Sequence, residues 1–287
     1  MKPIRKQFDA QPSFPFAFTF KDRKTLQREL PDHLHDWFEL VYVHSGKGAF
    51  FIDRTIYDMN QGDLFIIPGN TIHRAFPDKE DPVTSTALFF HPILLDRISL
   101  GESFSYMECF EQSRIHHNFK MECTPALQHL MERALDGVEA ELRAAQAGYR
   151  HAIVLHVEQL LLAVNREKGG ERKPRASSAF IGPSWMKDSL LYIDQHFTEA
   201  VSLSKLSQMA SVSPAHFSRV FKQSTGMNVT GFIAVKRIVR AKELLQGKDD
   251  TIAVIAEACG FESMPYFHRV FKQIVGMTPS IYRQQRS

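Results

Sequence analysis

Residues 217–227 (FSRVFKQSTGM) and residues 267–277 (FHRVFKQIVGM) follow one pattern at a constant offset of 50 positions. A repeated supersecondary unit is the simplest explanation of such self-similarity. A short segment with helical spacing of apolar residues precedes each copy, and a turn of three or four residues separates the two parts. Two helices joined by a short turn form a helix-turn-helix unit, so the sequence predicts two units, at about 203–226 and 251–276.

The second helix of each predicted unit has two faces. The apolar faces must pack in a core and consist of Phe217, Val220 and Phe221 in the first copy and Phe267, Val270 and Phe271 in the second. The opposite faces are small or polar and consist of Ala215, Ser218, Arg219 and Lys222 in the first copy and Pro265, His268, Arg269 and Lys272 in the second. Arginine can pair with a guanine edge and lysine with a phosphate, so these eight residues are the candidate DNA contacts. A plain helical bundle would explain the apolar faces but leaves the matching Arg and Lys positions without a role.

Charge is unevenly distributed along the chain. The formal net charge is +3, but residues 185–287 contain 13 Lys and Arg against 8 Asp and Glu, and the rest of the chain contains 22 against 24. A basic carboxy-terminal third favours a polyanionic partner. Charge alone does not decide the point, because many solvated helices are basic.

Residues 185–285 resemble the DNA-binding domain of the AraC/XylS family of transcription regulators. The matching positions of the second unit are Ile252, Ile255, Ala256, Gly260, Phe261, Ser263, Phe267, Arg269, Phe271, Lys272, Gly276, Thr278, Pro279, Tyr282 and Arg283. The resemblance implies seven helices that place two recognition helices in successive major grooves of double-stranded promoter DNA. Val254 stands where the family often has an acidic residue, which removes a capping-box partner for Thr251.

Residues 32–92 are predicted to form short strands. The runs FELVYV, AFFI, DLFII and TALFF are rich in aromatic and β-branched residues, and turn formers around Gly46, Gly62 and Gly69 separate them. Several short strands at this spacing indicate a sandwich or a small barrel. Thr124 and Pro125 then begin a predicted amphipathic helix, and a second one follows at about 153–164.

Histidines and a glutamate mark this strand-rich region. The residues in question are His33, His35 and Glu39 followed by Gly46, and Gly62 and Pro68 followed by His73. They resemble the two-part cupin signature, in which such side chains converge inside a β-barrel and can bind a divalent metal, although Gln27 and Pro77 depart from the motif. Three interpretations are open: the polar lining of an effector pocket, structural histidines, or a metal site. We take the first, so the predicted effector-pocket residues are His33, His35, Glu39 and His73, with no metal, cofactor or catalytic residue.

Composition divides the chain into two domains. Residues 166–184 carry Gly169, Gly170, Pro174 and Pro183 without any apolar period, which is typical of a linker. We predict a domain for effector binding and dimerisation at 1–165, the linker at 166–184 and a DNA-binding domain at 185–287. The predicted fold class is multidomain α and β: an amino-terminal cupin-like β-barrel or jelly roll with trailing helices, then an all-α domain with two helix-turn-helix units.

Two segments of the first domain have two interpretations each. The helices between 124 and 165 either mediate dimerisation or cover the open face of the barrel. The aromatic residues near the amino terminus either form an arm over the pocket or add an edge strand, and they are Phe8, Phe14, Phe16, Phe18 and Phe20.

These patterns predict a ligand-gated transcription regulator and no enzyme. The family resemblance implies a small metabolite such as a sugar as effector, a homodimer, and activation together with RNA polymerase. The alternatives are a metal-dependent cupin enzyme fused to a DNA-binding domain and a regulator controlled by a protein partner.

The expected location is the cytoplasm. Pro12 and Pro15 interrupt the amino-terminal apolar residues, so no signal peptide is predicted, and no membrane partner is expected because no stretch approaches the roughly 20 apolar residues of a membrane helix. The three cysteines are odd in number and lack C-x-x-C spacing, which favours a reducing compartment over a disulfide framework.

Overall fold

The computed structural model describes residues 4–5, 14–24, 33–95, 104–170 and 183–284. Its strands are β1 (Ile4–Arg5), β2 (Phe16–Arg23), β3 (His33–Leu34), β4 (Phe38–Ser45), β5 (Gly48–Ile52), β6 (Thr55–Met59), β7 (Asp63–Ile67), β8 (His73–Pro77), β9 (Thr84–Phe90) and β10 (Lys120–Glu122). Its α-helices are α1 (Glu108–His116), α2 (Pro125–Ala144), α3 (Tyr149–Gly170), α4 (Ser184–His196), α5 (Leu203–Met209), α6 (Pro214–Thr225), α7 (Val229–Gly247), α8 (Ile252–Ala258), α9 (Met264–Val275) and α10 (Pro279–Gln284). We call the described residues up to Gly170 the β-sandwich domain and residues 183–284 the helical domain.

The β-sandwich domain consists of two five-stranded sheets. The first sheet has the order β1-β3-β8-β5-β6 and the second the order β10-β7-β4-β9-β2. Side chains alternate along a strand, so on β4 Val41 and Val43 lie in the core between the sheets while Leu40 and Tyr42 lie in the core under the helices. Glu39 is in phase with Val41, which places a carboxyl group in the apolar interior of the sandwich.

The aromatic segment near the amino terminus is an edge strand where the structure describes it. β2 pairs antiparallel with β9 at the edge of the second sheet. The rings of Phe14, just before β2, and of Phe16, Phe18 and Phe20 on β2 form a series with successive centroids 5.5, 6.2 and 5.8 Å apart. They pack on the core shared with α2 and α3, as the edge-strand interpretation expects. Phe8 lies outside the described residues.

Helices α2 and α3 cover the second sheet. Thr124 is the N-cap of α2 and accepts a hydrogen bond from the backbone N–H of Leu127, with Pro125 at the first helical position, as predicted. α3 continues to Gly170, five residues into the segment predicted as linker. Contacts across the helices explain the extension: Glu167 accepts hydrogen bonds of 2.8 Å from the N–H and the hydroxyl of Thr124, and Lys168 donates to the hydroxyl of Ser113.

Capping residues delimit the helices of the helical domain. The side chains of Ser202, Ser213, Thr251 and Ser263 each accept a hydrogen bond from the backbone of the first turn, and these residues are the N-caps of α5, α6, α8 and α9. Gly226 and Gly276 end α6 and α9 in the left-handed region, with φ of 80° and 83°. Gly247 differs from these two glycines: the glycine spacing predicts a left-handed cap there as well, but Gly247 is the last residue of α7, and the extended Lys248 caps that helix by donating its backbone N–H to the carbonyl of Leu244.

Membrane spans and cysteine pairing are both subjects of the sequence predictions, and the structure describes each. Within the described ranges, no helix has both the length and the apolar character needed to cross a membrane. All three cysteines are buried free thiols, so the cores of both domains form without covalent cross-links between cysteines.

Candidate functional site

The first helix-turn-helix unit consists of α5 and α6. Leu206 of α5 and Phe217 and Phe221 of α6 are fully buried, and Trp185 of α4 packs on Phe217 with ring centroids 5.1 Å apart. The apolar face of α6 therefore faces the core, as predicted. Pro214 occupies the first turn, where the missing N–H costs nothing because that position has no intrahelical acceptor.

The opposite face of α6 is open to solvent. Ala215, Arg219 and Lys222 are exposed and Ser218 is half-buried. The guanidinium of Arg219 donates a hydrogen bond of 3.1 Å to Nδ1 of His216, one turn earlier on the same helix. His216 thus orients the candidate base-reading arginine. The sequence prediction missed this residue, although its spacing of three from Arg219 is a signal that helix geometry supplies.

The second unit repeats the scaffold with different side chains around the arginine. Pro265, His268, Arg269 and Lys272 are all exposed on α9, while Phe267 and Phe271 are fully buried. The guanidinium of Arg269 lies 5.3 Å from the ring centre of Tyr266, a cation–π contact in place of a hydrogen bond. All eight candidate DNA contacts therefore lie on the faces predicted for them.

The turns of the two units differ in length. Helices α6 and α9 begin 50 residues apart, at Pro214 and Met264, whereas α5 and α8 begin 49 apart, at Leu203 and Ile252. The turn has four residues in the first unit and five in the second, one more than the sequence pattern suggested. The constant offset thus holds for the recognition helices and not for the helices before them.

Each turn contains one residue in the left-handed region. It is Ser211 in the first unit, with φ of 54°, and Gly260 in the second, with φ of 83°. Only the second turn requires glycine for space, because a β-carbon on Gly260 would collide with the backbone carbonyl of Thr198. This close approach seats the second unit against the α4–α5 connection.

A buried triad occupies the interior of the β-sandwich domain. His35, Glu39 and His73 are 3%, 4% and 1% exposed. Nε2 of His35 lies 3.1 Å and Nε2 of His73 lies 3.0 Å from the same oxygen, Oε2 of Glu39. His33 lies on β3 with its backbone paired to His73, and its side chain is outside the described part of the structure. The structure thus brings together three of the four predicted effector-pocket residues.

The other ring nitrogens of the triad show where its protons lie. Nδ1 of His35 is 2.8 Å from the carbonyl of Trp37, and Nδ1 of His73 is 2.8 Å from the carbonyl of Thr71. A carbonyl oxygen only accepts, so each Nδ1 carries the proton. In a neutral imidazole each Nε2 would then direct a lone pair at the carboxylate. A positive species must therefore stabilise the triad, either a second proton on an imidazole or a cation between the three atoms.

Electrostatics and ligand chemistry bear on both forms of the triad. Burial alone would raise the pKa of Glu39, but the imidazoles of His73 and His35 outweigh it and hold that pKa well below its usual range. Burial lowers the pKa of His35, which disfavours a second proton on that imidazole. The three donor atoms lie within 4.8 Å of one another, and imidazoles fixed through Nδ1–H to carbonyls are typical of metal ligands, so the residues fit a divalent first-row cation.

Two family models match successive parts of this chain. A family model described as an AraC-like ligand binding domain matches residues 16–161, and one described as a helix-turn-helix domain matches residues 206–285. The HTH-type transcriptional activator RhaS of Pectobacterium carotovorum is 25% identical over 266 residues, which cover 91% of this chain and 90% of that protein. The HTH-type transcriptional activator RhaR of Mannheimia succiniciproducens is 23% identical over 267 residues, covering 92% and 91%. The crystal structure of ToxT from Vibrio cholerae O395 aligns over 94% of this chain and 97% of that chain, with 12% identity and a TM-score of 0.36.

Proposed function

This chain belongs to the AraC family of helix-turn-helix transcription regulators, and we propose that it activates transcription when a small effector, of carbohydrate type, occupies its β-sandwich domain. The proposal that the chain binds DNA rests on the pair of exposed recognition faces on α6 and α9. Each face presents one arginine held by a side chain three residues earlier, and packing within the helical domain leaves that arginine exposed.

The two units divide the work of recognition. Arg219 reads a guanine edge and Lys222 holds a phosphate, with Ala215 and Ser218 allowing close approach of α6 to the groove floor. In the second unit Arg269 and Lys272 have the same roles. Pro265 offers no donor in the first turn of α9, so this unit, with His268, contributes more to holding the backbone than to reading the sequence.

The effector site is proposed for the interior of the β-sandwich domain. Polar groups buried in an otherwise apolar core are costly unless they are paired or used for recognition. His35, Glu39 and His73 are the polar groups that the structure brings together there, and His33 begins the strand beside His73. A sugar offers hydroxyl groups that donate to Glu39 Oε2 and accept from a protonated imidazole.

The proposed domain organisation follows the connections of the fold. Effector binding and dimerisation belong to the part up to about residue 165–170, the linker ends near residue 184, and DNA binding belongs to the remainder. Leu155 on α3 is 60% exposed, which supports a homodimer contact through α2 and α3. RNA polymerase is the proposed partner at the promoter, and the cytoplasm is the proposed location.

A metal-dependent enzyme fused to a DNA-binding domain is the rival function. The fit of the triad to a divalent cation is the observation that favours it. The matched family is one of transcription regulators, and we propose no enzymatic activity. Elemental analysis of protein purified without chelator separates the two: stoichiometric metal would support the rival, and metal far below one per chain would support effector binding by the triad.

Selection of duplexes from a random pool by the full-length protein tests the proposed function. We expect an enriched sequence and a footprint over two successive major grooves, about 10 base pairs apart. A thermal-shift screen of monosaccharides tests the effector class, since a ligand at 100 times its dissociation constant stabilises the fold by about 2.7 kcal/mol. Failure to enrich any sequence at physiological salt would contradict the DNA-binding assignment.

A further inference from the structure

The outer face of the first sheet packs directly on the helical domain. Phe51, Ile56 and Ile72 are buried in the same hydrophobic cluster as the residues of α4 to α9, and the ring of Phe51 lies 6.2 Å from that of Phe232 on α7. The strand period of two explains this, because Phe50 and Ile52 face the sandwich interior while Phe51 faces outward. One continuous apolar contact therefore joins the two domains.

A charged cluster crosses this contact at the turn between β5 and β6. The ammonium of Lys236, on α7, bonds to Asp53 of the turn and lies 2.8 Å from Asp194 of α4. Arg54, the next residue of the turn, donates to the other oxygen of Asp194 at 2.7 Å. Nδ1 of His117 lies 3.1 Å from Asp53. Lys236 and Asp53 are each only 13% exposed, so solvent screens their attraction little, and it lowers the pKa of Asp53 although burial acts in the opposite direction.

A second polar contact holds α7 six residues further along. Lys242, which is 6% exposed, bonds to the side-chain oxygen of Asn70. Asn70 is in the left-handed region with φ of 64°, and its backbone N–H donates a 2.6 Å hydrogen bond to the carbonyl of His35. We call Asp53, Arg54, Asn70, Asp194, Lys236 and Lys242 the interdomain latch.

Both latch points lie next to the buried triad. The backbone N–H of Asp53 donates to the carbonyl of Ile72, and Ile52 pairs across the sheet with His73. Asn70 is bonded through its backbone to His35. A ligand that shifts the backbone of His35 or His73 therefore acts directly on the segments that carry Asn70 and Asp53.

The latch holds the helix that links the two DNA-binding units. α7 lies between α6 and α8 in the chain, so its position sets how the two recognition helices face DNA. In the latched arrangement Lys236 is neutralised by two carboxylates, which reduces the positive field of the helical domain. The latch also fixes the domain orientation, which limits how two copies of the chain can reach two half-sites.

We infer that the interdomain latch restrains DNA binding, and that occupancy of the triad releases it by displacing the turns that carry Asp53 and Asn70. This inference rests on the proposed function, since it describes how the effector site communicates with the DNA-binding units. A coupling of this kind needs two states whose balance the ligand shifts.

The test uses full-length protein without added effector and the duplex enriched by selection. The latch variant is Asp53→Asn with Asn70→Gly, because Asn and Gly both accept a positive φ and the turns keep their shape. The control is Asp58→Asn, which removes the same charge from the β-sandwich domain but breaks a 2.9 Å pair with Lys120 inside that domain. We expect the latch variant to bind the duplex about 5- to 150-fold more tightly and the control to bind like the parent. Unchanged or weaker binding, or an equal effect of the control, would overturn the inference.

A second measurement is independent of DNA binding. The chain has two tryptophans, Trp37 in the β-sandwich domain and Trp185 in the helical domain, so Trp185→Phe and Trp37→Phe each leave a reporter for one domain. In urea we expect the two reporters to show one midpoint with the latch intact and two separate midpoints in the latch variant. Separate midpoints before the latch is broken, or coincident ones afterwards, would refute the latch even if no duplex were enriched. Absence of an enriched duplex together with the expected midpoints would refute the proposed function and the restraint on DNA binding, and would leave the latch as a coupling between the two domains.

Discussion

The two helix-turn-helix units share one scaffold and differ in how they hold their arginines. Each begins its recognition helix with a serine cap and a proline in the first turn, and each buries two phenylalanines four residues apart. Arg219 is hydrogen-bonded to His216, whereas Arg269 lies over the ring of Tyr266. The packing residues therefore repeat because the core needs them, whereas packing places no such constraint on the exposed residues, which differ between the units.

The largest expected loss of stability comes from removing a core phenylalanine that both units share. Phe217 and Phe267 occupy equivalent, fully buried positions, so Phe217→Ala and Phe267→Ala should each cost about 3–5 kcal/mol of unfolding free energy. Urea unfolding followed by circular dichroism measures this, with Phe217→Leu and Phe267→Leu as controls that remove less volume and should lose less. A loss below about 1 kcal/mol for either alanine variant would show that the two cores are not equivalent.

The next largest change in stability is expected at the turns, where substitutions should affect the two units differently. Gly260→Ala places a β-carbon at positive φ and against the carbonyl of Thr198, so we expect a loss above the roughly 1–2 kcal/mol that left-handed backbone costs an L-residue. Ser211→Gly relieves that cost in the first unit and should raise the free energy of unfolding by up to about 1 kcal/mol. Thermal melts of both variants test the contrast. An unchanged melting temperature for Gly260→Ala, or a lower one for Ser211→Gly, would contradict it.

These turns also show how far the sequence alone reaches. Helix periodicity and capping residues are local, so both units, their N-caps and the exposed faces of α6 and α9 could be predicted from residue spacing. The extra residue in the second turn could not be predicted in this way. The sequence repeat has an offset of 50, which is the offset between α6 and α9, whereas α5 and α8 begin 49 residues apart.

Long-range contacts were equally inaccessible to sequence analysis. Lys168 bonds to Ser113 of α1 and so extends α3, and Lys236 bonds to Asp53, 183 residues earlier in the chain. Neither pair gives a periodic signal in the sequence. The triad is an intermediate case. The spacing of His35 and Glu39 indicated a shared interior, but the Nδ1–H bonds to carbonyls, which decide what the triad can hold, depend on backbone positions that spacing does not specify.

The smallest expected effect concerns the lysines of the two recognition helices. If Lys222 and Lys272 each hold one phosphate, Lys222→Ala and Lys272→Ala should weaken selected and scrambled duplexes alike. Each should also lower the slope of log affinity against log salt by about 0.9. Isotherms at several salt concentrations measure the slope, with Lys205→Ala, on α5 beside Tyr192, as a lysine control outside the recognition helices. A slope unchanged in both variants would remove the lysines from the interface.

The division between a reading and a holding unit is tested most directly at Arg219. Binding of full-length Arg219→Ala should be compared on the selected duplex and on a scrambled duplex of the same length and composition, with Arg269→Ala in parallel. We predict that Arg219→Ala loses about 1–3 kcal/mol on the selected duplex and much less on the scrambled one, so that the specificity ratio collapses. Arg269→Ala should lower that ratio less. Equal weakening of both duplexes by Arg219→Ala would contradict its assignment as the base-reading residue.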